Sequence, residues 1–290
     1  MPVAGPLLIA KETGWFEKHG LNVVVKEYAL GKIALEDMEE GEVDLACAAV
    51  TPIVYKILSG GSLQIIATVA SSTGMVAVAA RKDRGITQIA DLEGKRVGIS
   101  LGTSGEFYFE TLRVLQRIPR KSVQVEDCTV ERLSSGLLDG SLDAASVWEP
   151  LISQLDRAMP GKLQFFYGNG LYTFTWNLIA LPQTIQKRRA DIEKLLEGLF
   201  AAATLIETEP ERARSLLQQR AGEDGRLLAD HLDELRCKPS LTQDLLVQLE
   251  AEARWVIGRD SRSNAVPNFL RSIDASVLKK VRPEAVTLIQ

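Results

Sequence analysis

A serine lies where an apolar segment meets an aromatic-rich one, in the stretch ISLGTSGEFYFE that covers residues 99–110. As a nucleophile, Ser104 would need the pattern G-x-S-x-G, but residues 102–106 read G-T-S-G-E and the closing glycine is absent. A catalytic triad would also need a histidine, and the two in the chain are poorly placed: His19 ends a predicted helix and His231 falls in an all-helical region. We therefore expect no catalytic residue here and no enzymatic activity.

The same turn can instead bind a ligand. The first N–H groups of a helix have no partner within that helix, and the helix dipole favours negative charge at this end. Gly102, Thr103 and Ser104 would then direct N–H groups and hydroxyls at one point. The alternative is an ordinary helix start, in which Thr103 or Ser104 caps its own helix. The chain contains neither glycine pattern that binds nucleotides, and we expect no cofactor.

Two further helix starts have a similar composition. Gly31 and Lys32 open a predicted helix after the apolar run 23–29, and Thr51 precedes a proline after another apolar run. Small or polar residues at several helix starts that each follow a strand favour one shared polar site.

The segments 40–52 and 139–150 share one order of features. Each has an acidic residue and a glycine that close a helix, an aspartate three residues after the glycine, a short apolar strand and a proline. They place Thr51 in the first segment, and Trp148 with Glu149 in the second, at the carboxyl end of a predicted strand, where open α/β sheets bind ligands. Glu149 either binds a cationic ligand group or begins the next helix.

The composition excludes several classes of function. The net charge of −4, without a run of basic residues, argues against a nucleic-acid partner. The 3 cysteines and 2 histidines are far apart, so we expect neither a metal site nor a disulfide framework. The uncharged stretch 57–80 is long enough to span a bilayer, but its SGGS and SSTG interruptions favour two buried strands.

Apolar β-branched runs alternate with helical patterns up to about residue 180, as in α/β sheets covered by helices on both faces. From residue 181 onward the pattern is helical only, so these helices must cover a sheet built from earlier strands. The predicted strands are 23–29, 44–50, 63–70, 75–82, 95–100, 123–128, 143–148 and 163–167, and the predicted helices before residue 180 are 34–41, 52–61, 105–117 and 130–139.

The chain resembles the substrate-binding proteins of ABC importers in the nitrate, sulfonate, taurine and thiamine-pyrimidine-precursor group. The resemblance extends over nearly the whole chain, and its most specific part is the series DLxGKRVGxxxGTSxEF. The segments that carry it are PLLIAKETGWFEKHGLNVVV, GKIALEDMEEGEVDLACAAVTPIV, GSLQIIATVASS, IADLEGKRVGISLGTSGEFYFETLRVL and GSLDAASVWEPL.

The resemblance implies a two-lobed type II periplasmic-binding-protein fold. Each lobe would be a mostly parallel sheet flanked by helices, and the helical C-terminal region would pack on lobe one. Lobe one would comprise 1–79 and 179–290, and lobe two 80–178. The chain would cross between the lobes near 75–83 and 174–182, where a hinge would let them close on a ligand.

Carried over from the family, the ligand positions fall at the helix starts and strand ends described above. Two features depart from the family pattern. The usual first strand is absent or reshaped, which affects the loop before Leu7, and basic residues are sparse, with Lys32 the main one. The implied ligand-binding residues are Gly31, Lys32, Thr51, Gly102, Thr103, Ser104, Trp148, Glu149, Phe174 and Asn177.

The resemblance implies a monomer that captures a small molecule and passes it to the membrane permease of an ABC importer. It would work in the periplasm or anchored outside the cytoplasmic membrane, although this chain shows no export signal. Two alternatives stay open: the ligand-sensing extracytoplasmic domain of a signalling receptor, and an enzyme of thiamine-pyrimidine or menaquinone synthesis. The cysteine-rich signature of the pyrimidine synthase is absent, which weighs against the second alternative.

Overall fold

The structure is a computed structural model that describes residues 4–168, 170–259 and 265–289, without the side chains at 220–225, 227 and 228. Residues 1–3, part of the predicted ligand loop before Leu7, lie outside the described residues. The chain divides into two compact units. The first unit comprises Met1–Ser71 and Thr175–Gln290, and the second comprises Ser72–Phe174.

The first unit is a small sheet covered by helices from both of its chain segments. Its sheet has the strand order β1-β8-β2, and β1 pairs antiparallel with β8. The strands are β1 Leu45–Ala48, β2 Gln64–Ser72 and β8 Phe174–Ala180; the helices are α1 Gly5–Glu12, α2 Trp15–Lys18, α3 Gly31–Glu40, α4 Val50–Leu58, α8 Pro182–Lys187, α9 Arg189–Thr208, α10 Pro210–Asp230, α11 Gln243–Arg259 and α12 Ser276–Val281.

The C-terminal helices cover the first unit, as the sequence predicts. Helix α9 packs against α1, α10 and α12, and α11 packs against α4. Leu245, Leu249 and Ala253 of α11 are buried at three- and four-residue spacing, which orients one stripe of the helix inward. This burial holds the tail on the unit together with backbone hydrogen bonds between Thr68 on β2 and Ser240, at 2.8 and 2.9 Å.

The second unit contains a five-stranded mixed sheet in the order β5-β4-β6-β3-β7. Strand β4 is parallel to β5 and β6, whereas β3 is antiparallel to both β6 and β7. Within the second unit, the predicted parallel arrangement therefore applies to β5, β4 and β6 only. The strands are β3 Val76–Arg81, β4 Arg96–Ile99, β5 Gln124–Asp127, β6 Ala144–Trp148 and β7 Leu163–Tyr167, and the helices are α5 Ser104–Leu115, α6 Val130–Asp139 and α7 Leu151–Ala158.

Most predicted elements are confirmed within two or three residues, including the two strands that occupy the uncharged stretch 57–80. Among the described residues, no helix has the length and apolar character needed to cross a bilayer. The strand predicted at 23–29 is wrong, because that segment does not join either sheet. Its side chains are used locally instead: Lys26 Nζ and Tyr28 Oη donate to Asp37 Oδ2 on α3 at 2.5 and 2.6 Å.

Gly198 lets α9 approach α2 closely. A Cβ atom at this position would overlap Phe16 Cε1 and lie 2.9 Å from Trp15 Cε3, and Phe16 is fully buried. A side chain at 198 would therefore displace an aromatic ring from the core of the first unit.

We expect Gly198→Ala to lower the free energy of unfolding by about 1–3 kcal/mol, because overpacking outweighs the gain of about 1 kcal/mol in helix propensity. Urea unfolding measures the change. The matched control is Gly258→Ala in α11, where a Cβ atom has no neighbour within 4 Å among the described residues and the propensity gain should appear alone. A stabilised Gly198→Ala protein would contradict the close packing.

Candidate ligand-binding site

The start of α5 in the second unit contains an unsatisfied hydroxyl. Ser104 is the first residue of this helix and is buried, and its Oγ has no hydrogen-bond partner among the described residues. A buried polar group without a partner costs about 1–3 kcal/mol, so native proteins seldom leave one unless a water or ligand satisfies it. Ser104 therefore offers a donor to a molecule that binds at this helix end.

The alternative of an ordinary capped helix is not what the structure shows. The side chain of Thr103, the N-cap residue, makes no capping hydrogen bond; its Oγ1 donates to the carbonyl of Ser100 at 2.6 Å. Thr103 is thus an acceptor toward any ligand, which corrects the expectation of two donor hydroxyls. Gly102, at φ 75°, donates its N–H to Glu106 Oε2 at 2.8 Å, so that N–H is already engaged by a buried carboxylate.

Packing brings Trp148 to the start of α5. A Cβ atom on Gly105 would lie 3.2 Å from Trp148 Cζ3 and 3.3 Å from Ser146 Oγ, so the indole fits closely over the first turn of α5. Ser146 Oγ also donates to the carbonyl of Gly105 at 2.7 Å, which fixes α5 on strand β6. The second unit thereby places Trp148 against Gly105, the residue after Ser104, and the prediction that Trp148 and Ser104 share one ligand site stays a prediction.

Glu149 makes a hydrogen bond to the helix that follows it. Its Oε2 accepts the N–H of Ser153 in the first turn of α7 at 3.2 Å, and its side chain is buried. This matches the alternative in which Glu149 begins the next helix. A carboxylate is favourable there because it faces the positive end of the helix dipole.

In the first unit, two of the predicted positions, Gly31 and Asn177, contact Ala48 at the end of β1. A Cβ atom on Gly31 would lie 3.0 Å from Ala48 Cβ, and Asn177 Nδ2 donates to the Ala48 carbonyl at 3.3 Å. Thr51 comes three residues later in the first turn of α4, whose N-cap residue provides no side-chain cap. Gly31 is thus needed for the approach of α3 to β1, and Lys32 next to it is half-buried.

Asn177 joins the three strands of the first unit. Its Oδ1 accepts from Thr68 Oγ1 on β2 at 2.7 Å, and its Nδ2 also lies 3.2 Å from Thr175 Oγ1 on β8. Together with the bond to Ala48, these contacts engage its amide within the unit. Asn177 therefore has a structural role, and the prediction that it binds ligand stays a prediction.

Thr51 connects to a carboxyl group that sequence reasoning did not find. A hydrogen bond of 2.6 Å joins its Oγ1 to Glu252 Oε2, and both residues are fully buried. Gln248 Nε2 donates to Glu252 Oε1 at 3.2 Å, and Thr175 Oγ1 donates to Gln248 Oε1 at 3.5 Å. A chain of hydrogen bonds thus extends from Thr51 through α11 to Thr175 on β8.

Burial raises the pKa of Glu252 from its ordinary value near 4.5 to about 8. The hydrogen bonds from Thr51 and Gln248 act in the opposite direction, since they favour the carboxylate. Desolvation is the larger effect, so the group is mostly uncharged at neutral pH.

A sequence signal for Glu252 does exist. It lies seven residues after Leu245 and three after Leu249, on the stripe of α11 that carries the buried leucines. A carboxylate at such a position contradicts the amphipathic pattern and marks a buried polar group. What the pattern does not supply is its partner, Thr51.

The ten predicted residues are thus divided between the two units, and most of them are buried. Phe174 is buried at the first position of β8. The half-buried positions are Gly31, Lys32 and Gly102, and the buried ones are Thr51, Thr103, Ser104, Trp148, Glu149, Phe174 and Asn177.

Comparison with known proteins identifies the family. The family model described as NMT1/THI5 like matches residues 1–213. The chain belongs to the NMT1/THI5-like family. Among sequence relatives, this NMT1/THI5-like chain is similar to a protein of Brucella abortus (strain 2308) that carries the provisional name of a binding protein, with 24% identity over 258 residues that cover 86% of this chain and 78% of that protein.

Solved structures share the fold of this NMT1/THI5-like chain. The alkanesulfonate-binding protein SsuA from Xanthomonas axonopodis pv. citri, bound to MOPS, matches with a TM-score of 0.82 and 16% identity, and the match covers 95% of this chain and 96% of that one. The desulfurization enzyme DszB matches with a TM-score of 0.72 and 16% identity over 98% of this chain and 97% of that one. The predicted fold class of helix-flanked sheets in a periplasmic-binding-protein fold is confirmed, and the fold supports binding proteins and an enzyme alike.

The raised pKa of Glu252 predicts a pH dependence of stability. Between about pH 4.5 and 8 the folded protein holds a proton that the unfolded chain has lost, so the free energy of unfolding falls as pH rises through this window. Glu252→Gln removes this dependence. As the pH rises through this window, the free energy of unfolding of the variant should increase relative to that of the wild type by up to about 1.4 kcal/mol for each pH unit. Urea unfolding at pH 5, 6, 7 and 8 measures this difference.

Glu250→Gln on the same helix is the control. Its carboxylate is partly exposed and pairs with Arg254 at 3.0 Å, so the variant should show the pH profile of the wild type. Parallel profiles for wild type and Glu252→Gln would show that Glu252 is charged in the folded protein at neutral pH.

Proposed function

We propose that this chain is a solute-binding protein that captures a small organic or anionic molecule and delivers it to the membrane permease of an ABC importer. The observation that carries the proposal is the buried Oγ of Ser104, without a partner among the described residues, at a helix end that lacks a side-chain cap. A ligand oxygen at this point would accept its proton and face the positive end of α5. Trp148, packed on the same turn, would supply an apolar wall.

The charges near these positions favour a ligand with little negative charge. Lys32 is the one basic residue among the ten predicted positions, and two carboxyls are buried in the second unit: Glu106 in the first turn of α5 and Glu149 next to Trp148. A doubly charged anion would have little compensation there. A singly charged sulfonate, with three acceptor oxygens and an organic tail, suits the donors at the helix starts, and the name of the SsuA neighbour supports this class.

Capture would use the hinge mechanism of the fold. The lobes 1–79 with 179–290 and 80–178 would close on the ligand about the crossings near 75–83 and 174–182. A ligand that contacts residues of both lobes stabilises the closed form by its additional contacts, and the permease would recognise that form. This role implies a monomer working outside the cytoplasmic membrane, a location that the periplasmic origin of an SsuA neighbour supports.

The cysteines support a binding role over an enzymatic one. Burial raises the pKa of the Cys128 thiol to about 11 and that of Cys237 to about 12, so neither is a ready nucleophile at neutral pH. The sensor alternative has the same ligand chemistry and differs only in the signalling domain that a receptor would attach to this one.

A thermal-shift screen tests the proposal. We expect hexane-1-sulfonate or another member of a panel with methanesulfonate, taurine and nitrate to raise Tm, because a ligand at one hundred times its Kd adds about 2.7 kcal/mol to the stability. Aromatic acids, amino acids and thiamine precursors complete the panel. If no compound shifts Tm at millimolar concentration, the binding role is wrong; if only a compound without a sulfonate does, the ligand class is wrong.

Ser104→Ala should separate binding from folding. It removes an unsatisfied hydroxyl, so the unliganded protein should be as stable as wild type or more so, while affinity for the best ligand of the screen falls about 10- to 100-fold with the loss of a hydrogen bond to a charged acceptor. Calorimetric titration and urea unfolding measure the two effects. Ser146→Ala is the control, since its hydroxyl is satisfied by Gly105 and its loss should cost about 1 kcal/mol of stability. Unchanged affinity in Ser104→Ala would remove Ser104 from the site.

A further inference from the structure

The two oxygens of Glu252 have different partners. Oε1 accepts from the amide of Gln248 at 3.2 Å, and an N–H group can only donate. Oε2 faces Thr51 Oγ1 at 2.6 Å, and a hydroxyl can either donate or accept. Thr175, which donates to Gln248 Oε1, fixes the orientation of the amide. When Glu252 carries a proton, that proton therefore belongs on Oε2, between the carboxyl and Thr51.

The protonation state thus determines what Thr51 offers to a third group. With Glu252 ionised, Thr51 must donate its proton to Oε2, and its oxygen presents only lone pairs elsewhere. With Glu252 neutral, Oε2 donates to Thr51, and the hydroxyl proton of Thr51 needs another acceptor. Among the described residues, the structure gives Thr51 no hydrogen-bonded acceptor other than Glu252. Because the side chain is fully buried, this proton must find an acceptor in a bound molecule or water.

We propose that Glu252 is a positioning residue that sets the direction of the Thr51 hydrogen bond, so that an anionic ligand binds at Thr51 only while Glu252 keeps its proton. The proposal rests on the proposed function, in which Thr51 contacts the ligand. The neutral state presents a donor and no charge to a sulfonate, whereas the ionised state presents lone pairs next to a buried negative charge. Anion binding and protonation of Glu252 then favour each other reciprocally.

The surroundings of Glu252 support an isolated switch. On α4, Lys56 pairs with Glu39 at 2.8 Å and Tyr55 packs edge-on against Trp255. On α11 itself, Glu250 pairs with Arg254, and in the 3-10 turn Phe269–Ser272, Arg271 is exposed. Strand β8 carries no titratable residue. Thr51 and Gln248 are the groups that act on the carboxyl besides its burial, which raises its pKa to about 8 and so places the change between pH 7 and 9.

The test is the affinity for hexane-1-sulfonate as a function of pH, by calorimetric titration. This anion stays ionised across the range, so any change belongs to the protein. We expect the wild type to bind at least tenfold more weakly at pH 9.5 than at pH 6.5, and to take up a fraction of a proton on binding at pH 8. Glu252→Gln retains a donor toward Thr51 and no charge, so it should bind at all pH values as the wild type does at pH 6.5.

Thr51→Val removes the hydroxyl and should bind weakly, with a much smaller dependence on pH than the wild type, because only the charge of Glu252 then changes. The proposal would be overturned if the affinity of the wild type did not change with pH, or if either variant showed the same pH dependence as the wild type. If hexane-1-sulfonate binds at no pH, the ligand assignment fails, and the coupling is decided without ligand: titration of the Glu252 carboxyl by carbon-13 NMR should show a higher pKa in Thr51→Val than in wild type, because the variant loses a donor to the carboxylate. An unchanged value would refute the coupling between the two side chains.

Discussion

The first unit depends on a chain of hydrogen bonds through its interior. From Thr51 on α4 the chain continues through Glu252 and Gln248 on α11 to Thr175 on β8, and Asn177 extends it to β1 and β2. Burying a carboxyl, two amides and several hydroxyls is unfavourable unless each has a partner. Because partners come from five different elements, the network tolerates few relative positions of strands and helices. It thereby fixes the helix start at Thr51, where ligand binding is proposed.

In the second unit, close packing fixes the position of a helix start, that of α5. The indole of Trp148 and the hydroxyl of Ser146 lie against Gly105, so the first turn of α5 sits directly on the end of β6. Glu106 binds the N–H of Gly102 and stabilises the turn before the helix. Within the part of the chain that the structure describes, the Oγ of Ser104 has no hydrogen-bond partner in this arrangement. A rigid helix start with one missing acceptor suits a preorganised binding group, because little ordering is needed when a ligand arrives.

Buried carboxyl groups belong to, or are hydrogen-bonded to, several candidate ligand-binding residues of this chain. Glu106 and Glu149 are used by nearby backbone N–H groups, and Glu252 is mostly neutral at pH 7. Each device reduces the repulsion that a carboxylate would exert on an anionic ligand. Family membership alone does not specify how these carboxyl groups are compensated, because fold neighbours at 16% identity include both a sulfonate-binding protein and a desulfurization enzyme.

The sequence alone determined the α/β class, the strands β1 to β7, the helices α3 to α6, the covering role of the C-terminal helices and the family. These come from local periodicity and from motifs such as the turn around Ser104, which neighbouring residues specify. The tertiary structure decided which predicted positions have partners. Thr103 donates its hydroxyl to the carbonyl of Ser100, and Asn177 makes hydrogen bonds that link three strands. Segment 23–29 lies outside both sheets. The tertiary structure also paired Thr51 with a residue 201 positions away. Such a pairing depends on which helix faces have to be buried together, and local pattern does not contain that information.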